Sequence, residues 1–167
     1  MVIIKVIKGN LLDAKERYIA HQTNCVTIKS RGLSKSLFDK FSYVNVYSRR
    51  KAKTKNCAIH PDEPGTLVIS YKDDKDDKDD KIIINMMGQW LPGKPGSYKD
   101  YYPKTYVDTK KKREEWFAEC IDALDTLNYD MVAMPYKIGC GLAGGNWKKY
   151  KEMLENSITK IVLYKIE

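Results

Sequence analysis

Along this chain the apolar residues switch between a spacing of two and a spacing of three to four, and each switch marks an element. Residues 2–7, 18–23, 66–71, 81–85, 131–134 and 160–166 are short, rich in β-branched and aromatic side chains, and predict strands. Three segments carry the helical spacing instead. Leu33, Leu37, Phe38 and Phe41 share one helix face, and Trp116, Phe117, Cys120, Ile121, Leu124 and Leu127 form a stripe within 109–127. Trp147, Tyr150 and Leu154 follow Asn146, a residue suited to cap a helix N-terminus. Strands alternating with helices predict an α/β domain of three layers around a mixed sheet.

Two segments fall outside this rhythm. Residues 72–81 read KDDKDDKDDK, a three-residue repeat with no apolar position, which predicts a solvated hairpin insert between two strands. A calcium loop would need a glycine turn and a terminal Glu, and the repeat has neither. Residues 89–103 hold Pro92, Pro95, Pro103, Gly93 and Gly96, with Trp90, Tyr98, Tyr101 and Tyr102 among them. A loop this long at the carboxyl end of a strand lies where open α/β sheets bind ligands. Its aromatics either stack on a base or cover the sheet edge.

Length and composition narrow the class. A chain of 167 residues predicts a single domain over 1–167, and 43% hydrophobic with 31% charged residues excludes a wholly disordered or collagen-like chain. The longest apolar runs, such as Ile82-Ile83-Ile84, fall far short of the ~20 residues that cross a bilayer. The first residues carry no signal-peptide core, so a soluble protein of cytoplasm or nucleus, without a membrane partner, is expected. Thirty Lys and Arg against 22 Asp and Glu give a net charge of +8. Without the 72–81 repeat, 26 basic and 16 acidic residues remain, so the rest of the chain is more basic than the total indicates. The excess suits a phosphorylated small molecule or, as a weaker reading, a nucleic acid contacted through 51–55 and 110–113. Cys25, Cys57, Cys120 and Cys140 are widely spaced, with only His21 and His60 as companions. They predict packed, reduced thiols rather than a metal site.

The chemistry concentrates in two turns. In Pro135-Tyr136-Lys137-Ile138-Gly139-Cys140-Gly141-Leu142-Ala143-Gly144-Gly145-Asn146-Trp147, a strand enters a loop with four glycines in seven positions and a capped helix follows. Glycines let backbone N–H groups approach an anion, and a helix N-terminus adds a favourable field, as a pyrophosphate requires. A second strand–loop–helix turn spans 24–33, where Lys29, Arg31 and Lys35 bring positive charge to a helix start.

Taken together, Lys8-Gly9-Asn10-Leu11-Leu12, His21-Gln22-Thr23-Asn24-Cys25 and the glycine loop resemble the macro domain family over nearly the whole chain. The resemblance implies a three-layer α/β/α fold with a mixed sheet of about six strands. It also implies a cleft for ADP-ribose across the strand ends, and no cofactor. Gly9, Asn10 and Leu11 are then expected at the adenine, with Asn10 in place of an Asp common in the family. Asn24 is expected at the distal ribose hydroxyls. Gly32 and Ser34 are expected in the first phosphate loop, and Ile138, Gly139, Cys140, Gly141, Leu142, Ala143, Gly144 and Gly145 around the diphosphate.

One hydrolase branch of the family uses a Lys after the central strand and an Asp past the Gly-Cys-Gly-Leu run. Here Asn85-Met86-Met87 and Ala143 stand in those regions. His21, three residues before Asn24, resembles instead the branch that removes phosphate from ADP-ribose 1''-phosphate. In that reading His21 and Asn24 are catalytic, His21 as acid–base or nucleophile. The alternatives are a non-catalytic ADP-ribose reader and a hydrolase that removes ADP-ribose from modified protein or nucleic acid. His60, in His-Pro-Asp-Glu, is expected in solvent.

Overall fold

The computed structural model describes residues 4–72, 80–102 and 105–166. Its strands are β1 (Lys5–Lys8), β2 (Tyr18–Asn24), β3 (Leu67–Ser70), β4 (Ile82–Gln89), β5 (Met131–Pro135) and β6 (Lys160–Lys165). Its helices are α1 (Gly32–Lys40), α2 (Lys110–Asp125) and α3 (Trp147–Glu155). The strands form one mixed sheet in the order β1-β6-β5-β2-β4-β3, parallel throughout except where β3 pairs with β4. Parallel neighbours need crossovers, and the helices supply them while covering both faces.

Successive residues of each inner strand feed opposite faces, as the two-residue period of a strand requires. Ile19, Ile83, Met87, Ala133 and Val162 join Leu37 and Phe38 of α1 in one core. Ala20, Ile84, Met86, Val132, Met134 and Leu163 join Phe117, Ile121 and Leu124 of α2 and Tyr150 and Leu154 of α3 in the other. The three layers follow from this division. β4 runs four residues past the expected 81–85, because the polar Asn85 does not end the strand but is satisfied inside the sheet by His21, the Val68 carbonyl and Ser70. Thr109 caps α2, its Oγ1 accepting the Lys112 N–H at 3.1 Å, and the Asn146 side chain caps α3 through the Lys148 N–H at 3.0 Å. Residues 73–79 of the charged insert, together with 1–3, 103, 104 and 167, lie outside the described residues.

Candidate ligand-binding site

A cavity of about 520 Å³ opens at the carboxyl ends of β2, β4 and β5, the edge at which parallel sheets hold ligands. β2 contributes Gln22, Thr23 and Asn24, and the segment after it adds Thr27, Lys29 and Arg31. The first turn of α1 contributes Gly32, Leu33 and Ser34, and β4 contributes Gln89. Pro92, Gly93, Ser97 and Tyr98 also line it, together with Pro135, Lys137, Ile138, Gly139, Gly141, Leu142 and Ala143.

The charge on this wall has one sign. Lys29, Arg31 and Lys137 line it, and no Asp or Glu does so among the described residues. Arg31 is the N-cap of α1 and makes no side-chain cap bond, so the helix's first N–H groups are left to the cavity side. Both features favour an anion. The sequence singled out this turn and the start of α3 together. At α3, Asn146 takes the Lys148 N–H and the Gly145 N–H turns back to the Gly139 carbonyl at 3.0 Å. Lys35 pairs with Asp39 at 2.6 Å and does not line the cavity.

The inner end is neutral and tightly held. Asn24 Oδ1 accepts the N–H groups of Val26 and Thr27 at 3.1 and 2.9 Å, which fixes the amide so that Nδ2 donates to the Tyr47 hydroxyl at 3.2 Å. One N–H of that Nδ2 remains to be given. The buried Arg50 donates to the Asn24 carbonyl at 2.8 Å, pairs with Asp62 at 2.7 Å and stacks on Tyr47. Tyr47 and Arg50 thus position Asn24. Gln22 Nε2 donates to Gln89 Oε1 at 2.7 Å, while Gln22 Oε1 is buried without a partner among the described residues.

His21 does not line the cavity. Its side chain faces away from Gln22 and lies under α1, 1% exposed and edge-on to Phe38. Both ring nitrogens are engaged: Nε2 with Asn85 Oδ1 at 2.7 Å, and Nδ1 with Ser34 Oγ at 3.2 Å. Burial pulls its pKa down to about 4, against a smaller raising effect of the Asn85 bond. The ring therefore reaches the cavity only through Ser34. A direct attack by the imidazole, as expected from the sequence, has no path in this geometry.

This burial has a consequence for stability. The folded ring takes a proton only near pH 4, whereas the unfolded one takes it near 6.5. The contribution is fully present above pH 6.5 and is lost as the pH falls from 6.5 to about 4, on the order of 3 kcal/mol in all. Urea midpoints measured across that window are expected to fall with pH, and His21→Phe to flatten the slope.

Other expected site residues stand elsewhere. Gly9 donates its N–H to the Lys165 carbonyl, Asn10 caps a short 3₁₀ turn by accepting the Leu12 N–H at 2.9 Å, and Leu11 is in the core. None of the three lines the cavity. Cys140, Gly144 and Gly145 do not line it either, and their N–H groups are given to carbonyls of Lys137, Gly141 and Gly139. Of the loop aromatics, Trp90 is buried against Tyr102 and Tyr106, and Tyr98 lines the cavity. Cys25, Cys57 and Cys120 are buried and Cys140 half-buried, all as free thiols.

Arg113 joins the two loops that close the site. It is buried, forms a two-pronged pair with Asp108 at 2.6 and 2.8 Å, and donates to the carbonyls of Gly93, Ala143 and Leu91. Gly93 and Ala143 both line the cavity, and the same Arg113 Nη1 holds their carbonyls side by side. The sequence placed Arg113 in a basic surface patch, and the structure withdraws it from that patch. Lys110, Lys111 and Lys112 remain exposed. Sequence reasoning missed Tyr47, Arg50, Gln22, Gln89 and Lys137, which line or brace the site.

A six-stranded mixed sheet between helices, with a cationic cavity at the strand ends and a glycine loop on its wall, defines a three-layer α/β domain. The chain has the macro domain fold. It superposes on the macrodomain of Mycobacterium tuberculosis DarG with a TM-score of 0.62 and 16% identity, covering 100% of both chains. The Trypanosoma brucei macrodomain in complex with ADP gives 0.53 and 9%, over 98% of this chain and 64% of that one. Alphavirus P23pro-zbd gives 0.60 and 13%, and this chain, covered in full, spans 22% of its length. No family model matches the sequence, and no curated protein matches it.

Proposed function

We propose that the cavity binds ADP-ribose. The observation that carries this reading is the make-up of its wall. It holds the cations Lys29, Arg31 and Lys137 and the uncapped start of α1 together with the neutral groups of Asn24, Ser34 and Tyr47. A diphosphate suits the cations and the helix start, and a sugar suits the neutral groups. Further support comes from a neighbour of the same fold that was solved with ADP. Asn10 has no part in this reading, since it does not line the cavity and its Oδ1 accepts the Leu12 N–H.

The finer reading, phosphate release from ADP-ribose 1''-phosphate, needs a proton carrier or nucleophile at the sugar end. His21 lies behind Ser34 and keeps a neutral ring down to a pH of about 4. Binding without phosphatase turnover is therefore the form the geometry favours. The assay is phosphate release from the 1''-phosphate: none is expected, and release that vanishes in His21→Ala would reverse this choice. A panel of ADP-ribosylated protein and nucleic acid separates a reader from a hydrolase of modified macromolecules.

The charge on the wall gives a further expected result. Arg31→Ala and Lys137→Ala each weaken ADP-ribose by about 3- to 10-fold, and the difference from wild type shrinks as salt is raised. Titrations at two ionic strengths check it.

A further inference from the structure

The hydrogen bonds behind Ser34 have a direction that can be followed from a fixed end. That end is the Val68 carbonyl, which only accepts. Asn85 Nδ2 donates to it at 2.9 Å and to Ser70 Oγ at 3.2 Å. Turning the amide over would set two oxygens against each other, so Oδ1 faces His21. The β2–β4 register, His21 beside Asn85, brings the two side chains together. His21 Nε2 must then carry the proton that it gives to Asn85 Oδ1 at 2.7 Å. In a neutral imidazole that leaves Nδ1 with a lone pair, and the group facing it is the Ser34 hydroxyl at 3.2 Å. Ser34 Oγ gives its proton inward; the Tyr47 hydroxyl, which accepts two N–H groups from Asn24, is its other protein partner, and a lone pair remains for the cavity.

We propose that Ser34 is a specificity-determining residue, which accepts a hydrogen bond from a hydroxyl of the terminal ribose because His21 and Asn85 hold its own proton turned away. This deepens the ADP-ribose reading and rests on it. A serine free to rotate would serve a phosphate oxygen or a hydroxyl alike. Held as an acceptor, it favours a group that brings a proton and disfavours an anionic oxygen. Asn24 lines the same end with an N–H to give, so a sugar hydroxyl meets a donor and an acceptor together. Burial keeps the His21 ring neutral across the physiological range, so the direction does not reverse there. His21 and Asn85 are positioning residues in this scheme, since neither lines the cavity.

The test compares ADP-ribose with ADP, which lacks the terminal ribose, by calorimetry on the whole chain. Ser34→Ala replaces a helical serine by a better helix former, so the fold is kept. It is expected to weaken ADP-ribose by about 3- to 10-fold, the range of one net hydrogen bond, and to leave ADP unchanged. His21→Phe, with Ser34 intact, is expected to lower the ADP-ribose to ADP affinity ratio in the same direction. In the wild type, nitrogen NMR of His21 is expected to show Nε2 protonated and Nδ1 bare, a readout that does not depend on any variant folding. If wild type binds ADP-ribose but Ser34→Ala shifts both ligands equally, or neither, the proposal is overturned while the binding reading stands. A proton on Nδ1 overturns it as well. If wild type binds neither ligand, the binding reading falls and takes this one with it.

Discussion

Arg113→Ala is expected to destabilise the chain by about 3–5 kcal/mol, the range seen when one partner of a buried ion pair is removed. The guanidinium and the Asp108 carboxylate are 2% and 3% exposed, so the variant leaves a carboxylate with no solvent to receive it. The loss extends to the site. With Arg113 gone, the carbonyls of Gly93 and Ala143 lose the donor that ties the two cavity-lining loops together. Ligand affinity should therefore fall together with stability. Thermal unfolding checks the first part, and for a chain of this size the midpoint drops by about 10 °C. Adding Asp108→Asn to Arg113→Ala should recover part of the loss by removing the stranded charge. A midpoint within a degree or two of wild type for Arg113→Ala would contradict the role assigned to the pair.

Gly139→Val is expected to abolish ligand binding and to cost stability as well. Gly139 has φ of +75°, where a β-branched residue is strained by about 1–3 kcal/mol. An added Cβ would also lie 2.6 Å from Tyr150 Cε2 and 2.8 Å from Gln22 Oε1. Tyr150 of α3 is buried in the core and cannot yield without moving its neighbours. The collision displaces Gln22 and the glycine loop together, and both line the cavity. Gly141→Val is the control on the same loop. A Cβ there meets nothing within 4 Å, so its stability should stay within about 0.5 kcal/mol of wild type. Equal unfolding midpoints for the two variants would contradict this account of the loop.

Much of the fold was legible because its signals are local. Asn146 stands where α3 must find a side-chain cap, and the apolar stripes of α1, α2 and α3 carry the helical period. The site was legible where it sits on those elements, as at Asn24, Gly32 and Gly139. Tyr47 and Arg50 lie in a stretch after α1 with little regular period, and only the folded chain brings them under Asn24. The face taken by His21 was not readable from its distance to Asn24. It follows from the β2 alternation, which sends Ile19 and His21 under α1 and turns Gln22 to the cavity. Arg113 could have been read correctly. Positions 113, 116, 117 and 120 share one helix face, so the stripe itself turns this arginine inward. The run of four cations hid that spacing.

The central claim, an anion-binding cavity that takes ADP-ribose, is tested most directly by calorimetric titration of the whole chain with ADP-ribose at moderate salt. The expected result is saturable binding at one site per chain, weakened in Arg31→Ala and absent in Gly139→Val. A folded wild-type protein that gives no saturable heat with ADP-ribose would contradict it.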